Sequence, residues 1–165
     1  MKRAYVIYDT SWLLYPRVLW TFDFLPGWVA LRLIIPDEVK REIEKLFDDP
    51  HKEQVAKRAR KNCALFMGFE GYIEIAAKDI PPCPFSLRHL GADSKTDRKL
   101  IDLAWHLVDK DKECFVYVAT LDGGVQAELA ILFSQHKLPI FCPANIDQFR
   151  KYIGCPSDCL PNRQI

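Results

Sequence analysis

No CxxC pair occurs in the chain, and six cysteines in 165 residues are too few for a disulfide-stapled scaffold. Cys155 and Cys159 form a lone CxxxC near the tail, with no second pair at zinc-ligand spacing, so free thiols of a reducing compartment are expected. Long apolar runs are also lacking. The most apolar stretch, Trp12 to Pro36, is broken by Pro16, Arg17, Asp23, Pro26, Gly27 and Arg32, short of the roughly 18 to 20 residues a membrane span needs. The opening residues form a short β-like run ending in Asp9, unlike the apolar core of a signal peptide, and a cytoplasmic protein is expected. Neither GxGxxG nor GxxxxGK followed by Ser or Thr is present, which removes dinucleotide-binding and P-loop readings. His51, His89, His106 and His136 are scattered, and none joins a Cys or Ser in a recognisable nucleophile arrangement. An excess of one charge is missing too: 23 Lys+Arg stand against 22 Asp+Glu, so any role with nucleic acid needs a local basic patch.

What is present is a half-apolar, quarter-charged chain of a length suited to one domain, here taken as residues 1–165. Apolar β-rich runs at Ala4–Tyr8, Val29–Ile35, Tyr72–Ala76, Cys114–Ala119 and Leu138–Cys142 read as strands. Between them, Pro36–Phe47, Glu53–Met67, Thr96–Val108, Gly123–His136 and Ile146–Ile153 read as helices, the first opening with Pro36 and two acids. Val39, Ile43, Leu46 and Phe47 give it an apolar face. An aromatic-rich insertion occupies about 12–28, and a short tail follows about 154. Strands alternating with helices predict an α/β fold: one three-layer α/β/α domain with a mostly parallel sheet of about five strands. Ligands of such sheets sit beyond the carboxyl ends of the strands, at the topological switch point.

Four acids stand where that rule directs attention. Asp9 follows the first strand directly, and Asp122 comes three residues after Ala119. Either could simply begin a turn or cap a helix. On the helix after Thr96 the apolar stripe is Leu100, Ile101, Ala104, Leu107 and Val108, and Asp97 falls on it one turn earlier, whereas Asp102 is expected outward with Arg98 and Lys99. A core-facing carboxylate needs a hydrogen bond, an ion pair or a cation, and Ser94 with Asp97 also outlines a capping box. Glu42 lies on the flank of its helix, roughly 60° from Val39.

Together these acids resemble the motif set of PIN-domain (VapC-like) metal-dependent ribonucleases. Asp9-Thr10-Ser11 is similar to the family's opening, "IPDEVKREIEKL" to its second motif with the acid at Glu42, "TDRKLIDLA" to its third with Asp97, and "VATLDGGV" to its fourth, ending in Thr120-x-Asp122. Gly123-Gly124 departs from the more usual polar residues, and both the aromatic insertion and the Pro-rich stretch before Asp93 are this chain's own.

The resemblance implies cleavage of single-stranded or structured RNA, leaving a 5′-phosphate and a 3′-hydroxyl. Phosphodiester hydrolysis needs an activated water and stabilised phosphate charge. One or two Mg²⁺ or Mn²⁺ ions on carboxylate oxygens supply both. On this reading Asp9 is the central ligand with Glu42 and Asp97 beside it, Asp122 completes the site or binds through water, and Asp93 is an accessory. Ser11 and Thr120 are expected to hydrogen-bond the carboxylates. Lys52, Lys57, Arg58, Arg60 and Lys61 on one helix, with Lys40, Arg41 and Lys45 nearby, are a candidate phosphate-binding surface or an ordinary solvated face. Trp12, Tyr15, Trp20, Phe22, Phe24 and Trp28 stack on bases, make a homo-oligomer contact, or are buried as a helical lid. The competing classes are a non-catalytic RNA-binding or assembly protein on the same fold, and an aspartyl-nucleophile phosphatase, whose second Asp would stand where Ser11 is. Within the nuclease reading, a toxin paired with a small antitoxin and an RNA-processing enzyme both remain open.

Overall fold

Ala4 to Tyr8 carry no charge, so a strand made of them can be covered on both faces, and β1 (Lys2–Tyr8) forms the middle of a five-stranded sheet. The computed structural model describes residues 2–14, 29–85, 95–142 and 145–154. After β1 come α1 (Thr10–Leu13), β2 (Val29–Ile34), α2 (Asp37–Leu46), α3 (Glu53–Met67) and β3 (Tyr72–Ile73). A 3-10 turn at Ala77–Asp79 leads on, followed by α4 (Lys95–Lys110), β4 (Cys114–Ala119), α5 (Gly123–Ser134), β5 (Ile140–Phe141) and α6 (Ile146–Tyr152). The strand order is β3-β2-β1-β4-β5 and every pairing is parallel. This is the three-layer α/β/α architecture that the alternation predicts. Right-handed crossovers put α2 and α3 on one face and α4 and α5 on the other. Among the described residues no helix is long and apolar enough to cross a membrane.

The core is aromatic and aliphatic. Tyr8 packs its ring on Phe66 of α3 at 4.4 Å, and Tyr117 of β4 packs on Phe149 of α6 at 5.1 Å. Val6 pairs with Tyr117 in register, so these contacts lie on one face of the sheet. Leu100, Ile101 and Ala104 of α4 and Val125, Leu129 and Leu132 of α5 are buried, as their helical spacing requires. Each fully buried Leu or Ile contributes about 1.5–3 kcal/mol.

Two strands are shorter than their composition suggests. β3 pairs only Tyr72 and Ile73, because β2 ends at Ile34 and the chain then enters α2 through Pro36, which has no N–H to donate. β5 is limited to Ile140–Phe141 because Pro139 is likewise no donor, although its carbonyl accepts the Val116 N–H at 3.0 Å. Gly71 precedes β3 where a Cβ would stand 2.3 Å from the Leu31 carbonyl oxygen, so the close approach to β2 requires glycine.

Asp102 corrects the expectation drawn from periodicity. It does not face solvent: it is buried and accepts the Cys83 N–H at 2.8 Å. Arg98 is also turned inward, to pair with the buried Glu128 of α5 at 3.0 Å. An apolar stripe marks only one buried face. The Pro-rich segment around Cys83 and the α4–α5 contact bury two more, and neither is visible in the helix's own sequence. Most of the aromatic insertion (residues 15–28), the tail from 155 with Cys155 and Cys159, His89, Asp93 and Ser94 all lie outside the described residues. Cys63, Cys83, Cys114 and Cys142 are buried.

Candidate carboxylate site at the end of the central strand

Asp9 is the first residue beyond β1, and its N–H still donates to the Ala119 carbonyl at 3.0 Å. The register that pairs Tyr8 with Ala119 therefore brings Asp9 beside Thr120 at the end of β4. From here β1 leads toward α1 and β2, whereas β4 leads into α5 and the other half of the sheet. This is the switch point of the topology.

The Asp9 side chain is held on both oxygens. Oδ1 accepts the Thr10 N–H at 2.7 Å, capping α1, and Oδ2 accepts the hydroxyls of Thr120 at 2.8 Å and Ser11 at 3.3 Å. Those hydroxyls are themselves fixed: Thr120 Oγ1 accepts the Asp122 N–H at 3.1 Å and Ser11 Oγ accepts the Leu121 N–H at 3.2 Å. Thr120 is completely buried and Asp9 is 8% exposed.

Glu42 projects from α2 toward the same place. Its Oε2 accepts the Thr10 hydroxyl at 2.5 Å and its Oε1 the Thr96 hydroxyl at 2.7 Å, so one carboxylate ties the start of α1 to the start of α4. Asp97, half-buried in the first turn of α4, follows Thr96 directly. Burial pushes the Asp9 carboxyl above the usual carboxylate range; hydrogen bonds from Thr120 and Thr10 pull it back, while the charges of Asp97 and Glu42 push it further up. The charges of acids on α2 and α4 thus reach the buried acid that follows β1.

Asp122 joins this group through Thr120, and its own Oδ1 caps α5 by accepting the Val125 N–H at 2.8 Å. Thr10 and Thr96 are the residues that sequence reasoning missed as carboxylate partners. The available signal was adjacency, since each neighbours a candidate acid.

The donor set suits a hard cation: carboxylate oxygens only, with one of them buried among like charges. Among the described residues, however, no three His, Cys, Asp or Glu side chains converge closely enough to hold an ion as they stand. Glu42 is turned onto two hydroxyls, and a carboxylate offers about four lone-pair sites, so those bonds leave acceptor capacity.

The expected basic surface divides into two kinds of residue. Arg58 and Arg60 donate to the carbonyls of Leu14 and Phe47, tying α3 to the ends of α1 and α2. Lys40 pairs with Glu74 at 3.6 Å and Arg41 with Glu38 at 3.4 Å. Lys45, Lys52, Lys57 and Lys61 are exposed. The chain matches no known family model, and no curated protein matches it in sequence.

Proposed function

We propose that this protein is a metal-dependent endoribonuclease of PIN type, hydrolysing RNA phosphodiester bonds at Asp9, Glu42 and Asp97 with Asp122 at the edge of the site. One observation carries the reading: a buried acid at the switch point of a parallel sheet has two further carboxylates, Asp97 and Glu42, as charges acting on it. Ionised groups arranged so are costly for folding unless something else selects them. The four acids also follow the order of the family's motifs.

Mg²⁺ or Mn²⁺ would be held by Asp9, Glu42 and Asp97, and when bound would supply Lewis acidity toward a water and the phosphate. The chain's own residues orient the ligands. Thr120 and Ser11 fix the Asp9 carboxylate, the backbone of Asp122 and Leu121 fixes those hydroxyls, and Thr10 with Thr96 holds Glu42 at the rim. The biological roles that fit are a toxin with a small antitoxin partner and a cytoplasmic RNA-processing enzyme. A non-catalytic RNA-binding or assembly protein is the second reading, favoured by the lack of three converging ligands among the described residues.

The test is cleavage of single-stranded and structured RNAs with Mn²⁺ or Mg²⁺, by the wild type and by Asp9→Asn. The wild type is expected to cleave and the variant to be slower by about 10³-fold, as for loss of a group that acts within a catalytic unit. A wild type that binds these RNAs and leaves them intact overturns the nuclease reading in favour of the second.

A further inference from the structure

The cations best placed to receive a substrate are not those of α3. A cleft of about 520 Å³ opens between the start of α2, the end of the β3 connection and the start of α4. Its walls carry Arg41, Lys78, Lys95 and Lys99 against Asp37 and Glu38, and Glu38 is already engaged by Arg41 at 3.4 Å. Glu38 stands one helical turn before Glu42, so the cleft begins beside the carboxylate site. A second cleft of about 730 Å³ shares Lys78 and continues past Pro81 and Pro82 to His106 and Lys110. Lys95, Lys99, His106 and Lys110 fall within about 60° of one another around α4, and the helix carries them about 22 Å along its axis. The two clefts adjoin at Lys78 along one side of α4, and the one next to the acids is the more basic.

We infer that these clefts together form a groove that seats the RNA strand, with Lys78, Lys95 and Lys99 holding the phosphates next to the scissile bond. The inference rests on the nuclease reading for its direction along the groove. Its chemistry is independent of that reading: exposed or half-exposed ammonium groups spaced along a trough fit a phosphodiester backbone. The second cleft carries two acids, Asp79 and Asp109, and Asp109 is paired with Lys112 at 3.1 Å, which lessens its repulsion of a polyanion. His106, half-buried in the wall, presents a ring on which a base can stack.

The measurement is binding of a fluorescent single-stranded RNA by anisotropy, in EDTA to prevent cleavage, at several salt concentrations. Lys95→Gln/Lys99→Gln is expected to weaken binding at least tenfold and to lower the slope of log affinity against log salt by about 1.4, near 0.7 per phosphate contact. Lys78→Gln alone, one contact in a connecting segment, is expected to lower it by about 0.7, which guards against misfolding of the double variant. Lys57→Gln/Lys61→Gln on α3 is expected to change neither quantity. No RNA binding by the wild type, an unchanged slope for the groove variants, or an equal loss for the α3 variant overturns the inference. Groove-dependent binding without metal-dependent cleavage supports the inference while refuting the nuclease reading. Cleavage indifferent to Lys95 and Lys99 does the reverse.

Discussion

Replacing Asp9 with Asn removes a negative charge from a position where burial and two neighbouring acids oppose it, while keeping the size and shape of the side chain. The structure bounds the repulsion. Asp9 Oδ1 bonds the Thr10 N–H at 2.7 Å and the Thr10 hydroxyl bonds Glu42 at 2.5 Å. With the span of one residue between them, the two carboxylates lie no more than about 8 Å apart. At an effective dielectric near 20 that separation corresponds to about 2 kcal/mol, and Asp97 adds to it. Against this stand the bonds from Thr120 and Ser11, which lose their charge-assisted character at about 1 kcal/mol or less each. Asp9→Asn is therefore expected to stabilise the fold at pH 7 by about 1 kcal/mol, or about 2–4 °C in Tm for a chain of this size. The sign of the pH dependence follows from burial raising the folded-state carboxyl above its unfolded value. The native state binds the proton more tightly, so ionised Asp9 penalises folding at neutral pH and the penalty fades as pH falls through the raised value. Urea denaturation of both proteins from pH 7 downward should show the advantage of the variant shrinking toward about pH 4. Mn²⁺ should raise the Tm of the wild type and not of the variant. A variant less stable at pH 7, or an advantage independent of pH, refutes the account of Asp9 as a carboxylate strained by its acid neighbours.

Three further outcomes are expected. Thr120→Val, which removes both a donor to Asp9 and the acceptor of the Asp122 N–H, should destabilise by about 1–3 kcal/mol in urea denaturation, with Thr120→Ser recovering most of it. Asp102→Ala should lower stability by about 1–3 kcal/mol, since it leaves the buried Cys83 N–H without its acceptor; a change within about 0.5 kcal/mol, as for a surface residue, would contradict the burial described. Tyr117→Phe should be neutral or stabilising by about 1 kcal/mol in thermal denaturation, because the Tyr117 hydroxyl is buried with no hydrogen-bond partner among the described residues, and burial pushes its ionisation far above the usual range.

The sequence's own patterns carried most of the architecture. Continuous apolar runs marked β1 and β4 because strands covered on both faces have no polar side to alternate with. The stripe from Leu100 to Val108 set the buried face of α4, and the acids stood at strand ends where α/β sheets bind ligands. Glu42 was legible only as a boundary residue, since Lys40 flanks the apolar face of α2 on its other side in the same way. What turned Glu42 into part of the site was Thr10, 32 residues away, and Thr96, 54 residues away. Asp102 was misread for the same reason: its neighbour Cys83 comes from a separate segment 19 residues earlier.

Order of elements, sheet type and the local placement of Asp9, Asp97 and Asp122 were thus determined by the chain's own periodicity, which depends on residues within a few positions of one another. Tertiary structure alone decided that Thr120 meets Asp9 across 111 residues, that Glu42 and Asp97 press on the same buried carboxylate, and that lysines from two elements share one groove. Hydrogen bonding and charge repulsion act over a few ångströms of space, and the register of a parallel sheet, not distance along the chain, sets which groups come within that range.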